Sequence, residues 1–303
     1  RGLKDDSIEA FGIGYAPNSW SSLSGFLLKR KFNALDLVNS GLSVTSKRPY
    51  DRFRGRITFP IIDSKDRIVG FSGRVLDEGV AGPKYINTPQ TPIFDKSQTL
   101  FGIHRAKGEI RAKNMAILVE GEMDVILSHQ AGVKNIVASK GTALTVGQIV
   151  LLKKYTDNLI LCFDKDVAGD AASRRGIEIA DSAGMNLKVI QVEGGKDPAE
   201  IIKSDEKLWQ KSVDEAIPIY DYYLESVSGR FDSRDPAGLK QISAELIPIW
   251  TKISDDLVRE HYIQKLAALL RMGEEYVRSA VEKERTSHQS SNPARIFTDK
   301  ENL

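Results

Sequence analysis

Between Met115 and Ser204 short apolar runs alternate with segments of helical period, and that alternation limits the fold more than any other feature of the chain. "MAILVE", "KNIVAS", "NLILCFD" and "NLKVIQV" have the length and composition of buried strands. "DVILSHQAG", "TVGQIVLLKKY", "AGDAASRRGIEIADSAG" and "PAEIIKS" separate or follow them with helical spacing, and Gly132 and Gly184 stand at two helix ends. Strands alternating with helices through short links argue for mostly parallel pairing. They predict an α/β fold whose mostly parallel sheet carries helices on both faces.

Ligands of such sheets bind beyond the carboxyl ends of the strands. Here those ends are acidic. "MAILVE" closes on Glu120, "NLILCFD" on Asp164 with Asp166 two residues on, and "NLKVIQV" leads to Asp197. An extended chain points Asp164 and Asp166 to the same side. Carboxylates at the ends of buried strands are costly unless solvated or bound to cations. Mg²⁺ suits them, since it takes oxygen ligands and is held by one or two carboxylates plus substrate phosphates. Two ions could stabilise attacking and leaving oxygens in phosphoryl chemistry. Plainer roles compete. Asp197 before Pro198 is a helix N-cap with Pro at the first helical position, Asp170 favours a helix dipole, and Asp124 could occupy an exposed helical face. "ASKGTALT" also links strand to helix, where a tight turn competes with phosphate binding.

The first third reads differently. "GRITFPIID" and "RIVGFSGRVL", separated by "SKD", predict a hairpin, and "GPKYINTPQTPIF" an extended irregular stretch. Residues 1–110 carry 17 Lys and Arg against 11 Asp and Glu, although the whole chain has a formal net charge of only +2. That local excess suits a polyanion. From Leu208 the pattern is helical only, with Pro218 and Pro248 expected to kink or restart helices, and the polar end after residue 285 reads as a linker. No apolar run is long enough for a membrane span, and no signal-peptide core opens the chain. One cysteine, Cys162, lies inside an apolar strand as a core thiol, in keeping with a reducing, cytoplasmic setting. With four scattered His it cannot build a zinc site.

In order, "VEGEMDVI", "ASKGTALT", "CFDKDVAGDAA" and "GGKDPAEII" resemble the TOPRIM module. With "FGIGYAP", "DRFRGRITFPIID", "IVGFSGRVL", "PKYINTPQTPIF" and "LFG" upstream, the chain resembles the RNA polymerase core of bacterial DnaG-type primases from Arg1 to about residue 285. The resemblance implies a basic mixed α/β subdomain over 1–110, a TOPRIM catalytic subdomain over 111–205, a helical subdomain over 206–285 and a tail over 286–303. It implies a nucleotidyltransferase of the cytoplasm that makes short RNA primers on single-stranded DNA at the replication fork, leaving an RNA–DNA hybrid. Glu120 would be the acid/base or metal-proximal group. Asp124, Asp164, Asp166 and Asp197 would complete a site for two or more Mg²⁺ or Mn²⁺ ions. Arg1, Arg74, Lys84, Tyr85, Asn87 and Lys96 would hold template or ribonucleoside triphosphate.

The sequence departs from the family pattern at Glu122, usually aromatic, and at Ala199, usually acidic, which weakens one ligand position. Lys140, Lys165 and Lys196 lie in strand-end motifs, either offsetting carboxylates or touching triphosphate, or simply facing solvent. The family's N-terminal zinc-binding domain and C-terminal helicase-docking domain are expected to lie outside this chain, so the chain reads as a fragment that initiates poorly and loses template preference. A TOPRIM nuclease or topoisomerase, and a non-catalytic nucleic-acid-binding module, are the rival readings.

Overall fold

The computed structural model describes residues 2–45, 49–76, 82–140, 144–162, 171–191 and 197–290. The chain divides into two compact units, residues 1–179 with 185–216, and residues 180–184 with 217–303.

The first unit opens with α1 (Asp5–Ala10), β1 (Gly14–Ala16), α2 (Ser22–Lys29), α3 (Ala34–Asn39) and a small ribbon of β2 (Ser43–Val44) and β3 (Tyr50–Asp51). The predicted hairpin follows. β4 (Arg56–Ile62) and β5 (Ile68–Val75) pair antiparallel from Arg56↔Val75 to Ile62↔Ile68. Asp63 builds its turn by accepting the Lys65 and Arg67 amides at 2.9 and 3.0 Å, while Asp66 takes the left-handed conformation with φ +62°. β1 and β6 (Tyr85–Asn87) complete a four-stranded sheet of order β1-β4-β5-β6.

The parallel sheet begins after a 3-10 turn at Lys96–Gln98 and α4 (Ile103–Lys113). β7 (Ala116–Val119), α5 (Glu122–Gln130), β8 (Ile136–Ala138), α6 (Val146–Leu152), β9 (Asn158–Leu161), α7 (Ala171–Ser182) and β10 (Asn186–Val189) alternate as expected, and α8 (Pro198–Ser204) and α9 (Glu206–Asp214) follow. β7 lies between β8 and β9, and β10 lies outside β9, all parallel. The connection leaving β7 therefore runs to one side and that leaving β9 to the other. Adjacent strands whose connections diverge open a crevice at their carboxyl ends. β7 runs directly into Glu120.

Both sheets share one core. Phe11 and Phe59 pack in the same cluster as Ile117, Val119, Ile136, Ile160, Ile201 and Trp209. Cys162 is in that cluster, as its apolar context predicts. At roughly 1.5–3 kcal/mol for each large apolar side chain removed from water, this shared core fixes β5 and β6 relative to the end of β7.

The second unit is helical, with α10 (Ile219–Ser228), α11 (Pro236–Trp250), α12 (Asp256–Leu270) and α13 (Glu274–Ser290). Tyr220 sits edge-on to Trp250 and tilts against Tyr262, with ring centroids 6.0 and 5.3 Å away. Burial raises the Tyr220 hydroxyl pKa beyond the ordinary phenol range, and Asp181, to which it donates, raises it further. Pro218 stands at the N-cap of α10, so a helix does restart there. At Pro248 it does not: α11 runs through to Trp250, because in the last turn a missing N–H costs only one hydrogen bond. No helix among the described residues is long and apolar enough to cross a membrane.

Candidate active site

The buried β7 delivers the chain to Glu120, and the turn beyond it is built by Asp124. Asp124 Oδ2 accepts the Gly121 amide at 3.1 Å and Oδ1 the Ala199 amide at 3.3 Å. Gly121 is the N-cap of α5 and Ala199 lies in the first turn of α8. The positive ends of two helices thus converge on one buried carboxylate. Asp124 is not on an exposed helical face; burying it satisfies orphan amides of both helices. Asp197 caps α8 by accepting the Glu200 amide at 2.8 Å, as Asp-Pro predicts.

Glu120, Asp124 and Asp197 line one cavity of about 670 Å³, and its opposite wall carries Arg74, Lys84, Tyr85 and Asn87. Arg74 and Tyr85 are register partners on β5 and β6, and the guanidinium lies 5.2 Å from the Tyr85 ring centroid. Seven residues singled out from sequence therefore meet at one place. Lys96 is not among the described residues lining the cavity, although its charge reaches Lys140. Arg1, Asp164, Asp166 and Asp170 lie outside the described residues, as do Lys165 and Lys196.

Two buried polar atoms of residues on this lining, Arg74 Nε and Asn87 Oδ1, have no hydrogen-bond partner. Desolvated donors and acceptors cost about 1–3 kcal/mol each when unmatched, so their presence on residues that line a cavity favours a polar ligand there. Among the described residues no three His, Cys, Asp or Glu side chains approach closely enough to form a ready-made metal cluster. The donor set nevertheless fits a hard divalent cation: three carboxylates face one space, and Mg²⁺ needs only one or two alongside substrate oxygens.

The cavity lining also holds a buried ion pair, in which Lys140 offsets a carboxylate, one of the alternatives its strand-end position raised, and does not face solvent. Glu122 and Lys140 have side chains only 6% and 4% exposed, and Lys140 Nζ lies 3.1 Å from Glu122 Oε1. Burial pulls the Lys140 ammonium below its ordinary pKa, and the Glu122 charge pulls it back.

A second feature lies on the basic subdomain. Trp20 is 65% exposed, and the Arg54 guanidinium stacks 3.9 Å from its ring centroid and 4.8 Å from that of Tyr50. Arg54 also donates to the Asp51 carbonyl, and Asp51 accepts the Leu23 and Ser24 amides of α2. An apolar cavity of about 450 Å³, lined in part by Tyr15, Phe26, Phe53 and Phe71, borders Arg54. An aromatic residue in the polar stretch "NSWSS", followed by the alternating arginines of "DRFRGR", is the signal that could have found this cluster.

Three family descriptions match in succession. "DNA primase catalytic core, N-terminal domain" covers residues 1–107, "Toprim-like" 117–202, and "DnaB-helicase binding domain of primase" 220–275. The last falls inside the helical unit, whereas the sequence reading placed helicase docking beyond the chain. The DNA primase of Clostridium acetobutylicum is 37% identical over 270 residues, covering 88% of this chain and 44% of that protein. The chain thus spans a little under half the length of this curated relative. A crystal structure of a DNA primase domain from Pseudomonas aeruginosa matches with TM-score 0.79 and 31% identity, covering 93% of this chain and 89% of that one. A DnaG primase catalytic domain bound to ssDNA matches with TM-score 0.75 and 33% identity, covering 91% and 88%.

Proposed function

The chain belongs to the bacterial DnaG-type DNA primase family, and from that premise we propose that it is a primase catalytic core, a metal-dependent RNA polymerase that makes short primers on single-stranded DNA. One observation carries the reading: strand-end carboxylates and a cationic, aromatic wall enclose the same cavity, with unmatched buried polar atoms on its lining.

In the reaction the 3′-hydroxyl of one ribonucleotide attacks the α-phosphate of the next, and pyrophosphate leaves. Arg74 and Lys84 hold phosphate oxygens opposite the carboxylates. Tyr85, beneath Arg74, and Asn87 orient the base and ribose. Glu120 takes the hydroxyl proton. Glu120, Asp124 and Asp197, with Asp164 and Asp166, would hold divalent cations, Mg²⁺ or Mn²⁺, which would supply charge neutralisation to the phosphoryl chemistry. Asp124 keeps its place through the Gly121 and Ala199 amides, so Ala199 contributes by its backbone.

Template is held mainly through phosphate by the basic first third, and unpaired bases stack on Trp20 and Tyr50 beside Arg54. The similarity to a catalytic domain solved with ssDNA supports this. The helical unit contacts the replicative helicase, a reading supported by the match over residues 220–275. Zinc belongs to a separate domain, and the setting is the bacterial cytoplasm at the replication fork.

The test supplies labelled ribonucleotides and single-stranded DNA with and without Mg²⁺ or Mn²⁺. Short RNA is expected from the unmutated chain only when metal is present, with at least a hundredfold loss in Glu120→Gln, the order found when a charge-stabilising group is removed. RNA synthesis by Glu120→Gln at the unmutated rate would overturn the assignment of this cavity.

A further inference from the structure

The Glu122–Lys140 pair sits in the cavity, yet the roles above do not use it. Lys140 follows β8, where its amide donates to the Glu120 carbonyl at 3.0 Å. Its backbone is left-handed, with φ +68°, a conformation that a non-glycine residue holds at a cost. The surrounding structure therefore holds it in place. The ammonium lies 5.8 Å from the Phe101 ring centroid on one side and 3.1 Å from Glu122 Oε1 on the other. At that distance Glu122 engages one of the ammonium's three donors and holds it in place. A buried cation with two donors left over from its ion pair, on a residue that lines a cavity, is suited to an anionic oxygen ligand.

The remaining lining narrows the ligand. Glu120, Asp124, Asp197 and Glu200 repel a bare anion, whereas Arg74, Lys84 and Lys203 attract one. A ligand compatible with both sets carries several phosphate charges and brings divalent cations with it. We propose that Lys140, anchored by Glu122, is a specificity-determining residue that takes a terminal phosphate oxygen and makes the site select nucleoside triphosphates over monophosphates. This rests on reading the cavity as the nucleotide site. Glu122 has two functions in it. It holds the ammonium against Phe101, and it balances the charge whenever no phosphate is bound. Position 122 thus serves an electrostatic purpose in this chain.

The experiment measures ATP and AMP affinity in Mg²⁺ by equilibrium titration, and KM and kcat for ATP in primer synthesis. It uses the unmutated chain, Lys140→Arg, the neutral pair Glu122→Gln/Lys140→Gln, and the swapped pair Glu122→Lys/Lys140→Glu. The neutral pair leaves no lone buried charge and the swap keeps the cavity's net charge, so both are expected to fold, as melting curves would check. ATP affinity is expected to fall about tenfold in both pairs, the scale of one charged hydrogen bond, with AMP unchanged and the loss appearing in KM. Lys140→Arg is expected to keep most of the preference for ATP. If the folded neutral or swapped pair keeps the full preference, Lys140 does not select the triphosphate, and primer synthesis by the unmutated chain leaves the primase reading standing. If the unmutated chain makes no RNA and binds neither nucleotide, both readings fall.

Discussion

A Cβ added at position 121 would lie 2.9 Å from Asp124 Oδ2, closer than side chains tolerate. The glycine is needed for close approach, since its φ of −113° is open to any residue. Gly121→Ala is therefore expected to displace the carboxylate that joins α5 to α8 and to lower primer synthesis at least tenfold, while ssDNA binding at Trp20 stays unchanged; activity and binding assays on one preparation check this. His104 gives a pH signature. Burial first and the Arg105 charge second lower its pKa from 6.5 to about 4, against the opposing charge of Asp66. The unfolded chain then binds a proton that the folded chain does not. The contribution of neutral His104 is present above pH 6.5 and is lost as pH falls toward 4. The stability difference between the unmutated chain and His104→Gln, from urea unfolding, should shrink over that interval; a constant difference would contradict it. The acidic residues at strand ends were legible because burial on one side and charge on the other rarely coincide in sequence. The burial of Asp124 was not, because its partners include an amide on α8, far along the chain.

Apolar runs and helical periods marked β7, β8, β9 and β10 and the helices α5, α6, α7 and α8 that follow them. The register could not be read, since it depends on which strands the crossovers place together. The "SKD" turn was readable because its chemistry is local: Asp63 satisfies amides two and four residues on. β1, β6 and the β2–β3 ribbon were not, being two or three residues long and held by pairing to other segments. α13 continues to Ser290, past the predicted end of the helical subdomain at 285, in a stretch with little apolar content. The Asp197 cap of α8 was local and legible in the sequence, whereas the cap of α12 was not read there. Asp255 caps α12 by accepting the Val258 amide at 2.9 Å. Asp255→Ala should cost about 1 kcal/mol of stability, seen as a lower denaturation midpoint, without changing nucleotide affinity.

At the scale of the whole molecule, charge distribution says more than net charge. The excess of cations in residues 1–110 predicts ssDNA binding that weakens steeply with salt. Arg54→Ala should reduce the slope of log affinity against log salt, whereas Trp20→Ala should leave the slope and cost about 1–3 kcal/mol of binding by lost stacking. Titrations at several salt concentrations separate the two. The resemblance fixed the family, and the shared core explains how a hairpin wall and strand-end acids, remote in sequence, come to face one cavity. The most direct measurement takes Glu120→Gln on one side and Lys84→Ala on the other, singly and together, and follows labelled ribonucleotide incorporation on single-stranded DNA in Mg²⁺ or Mn²⁺. A shared site predicts that each variant suppresses RNA synthesis, that the losses are far from additive, and that ssDNA remains intact and bound. Full synthesis by either variant, or DNA cleaved in place of RNA made, would contradict it.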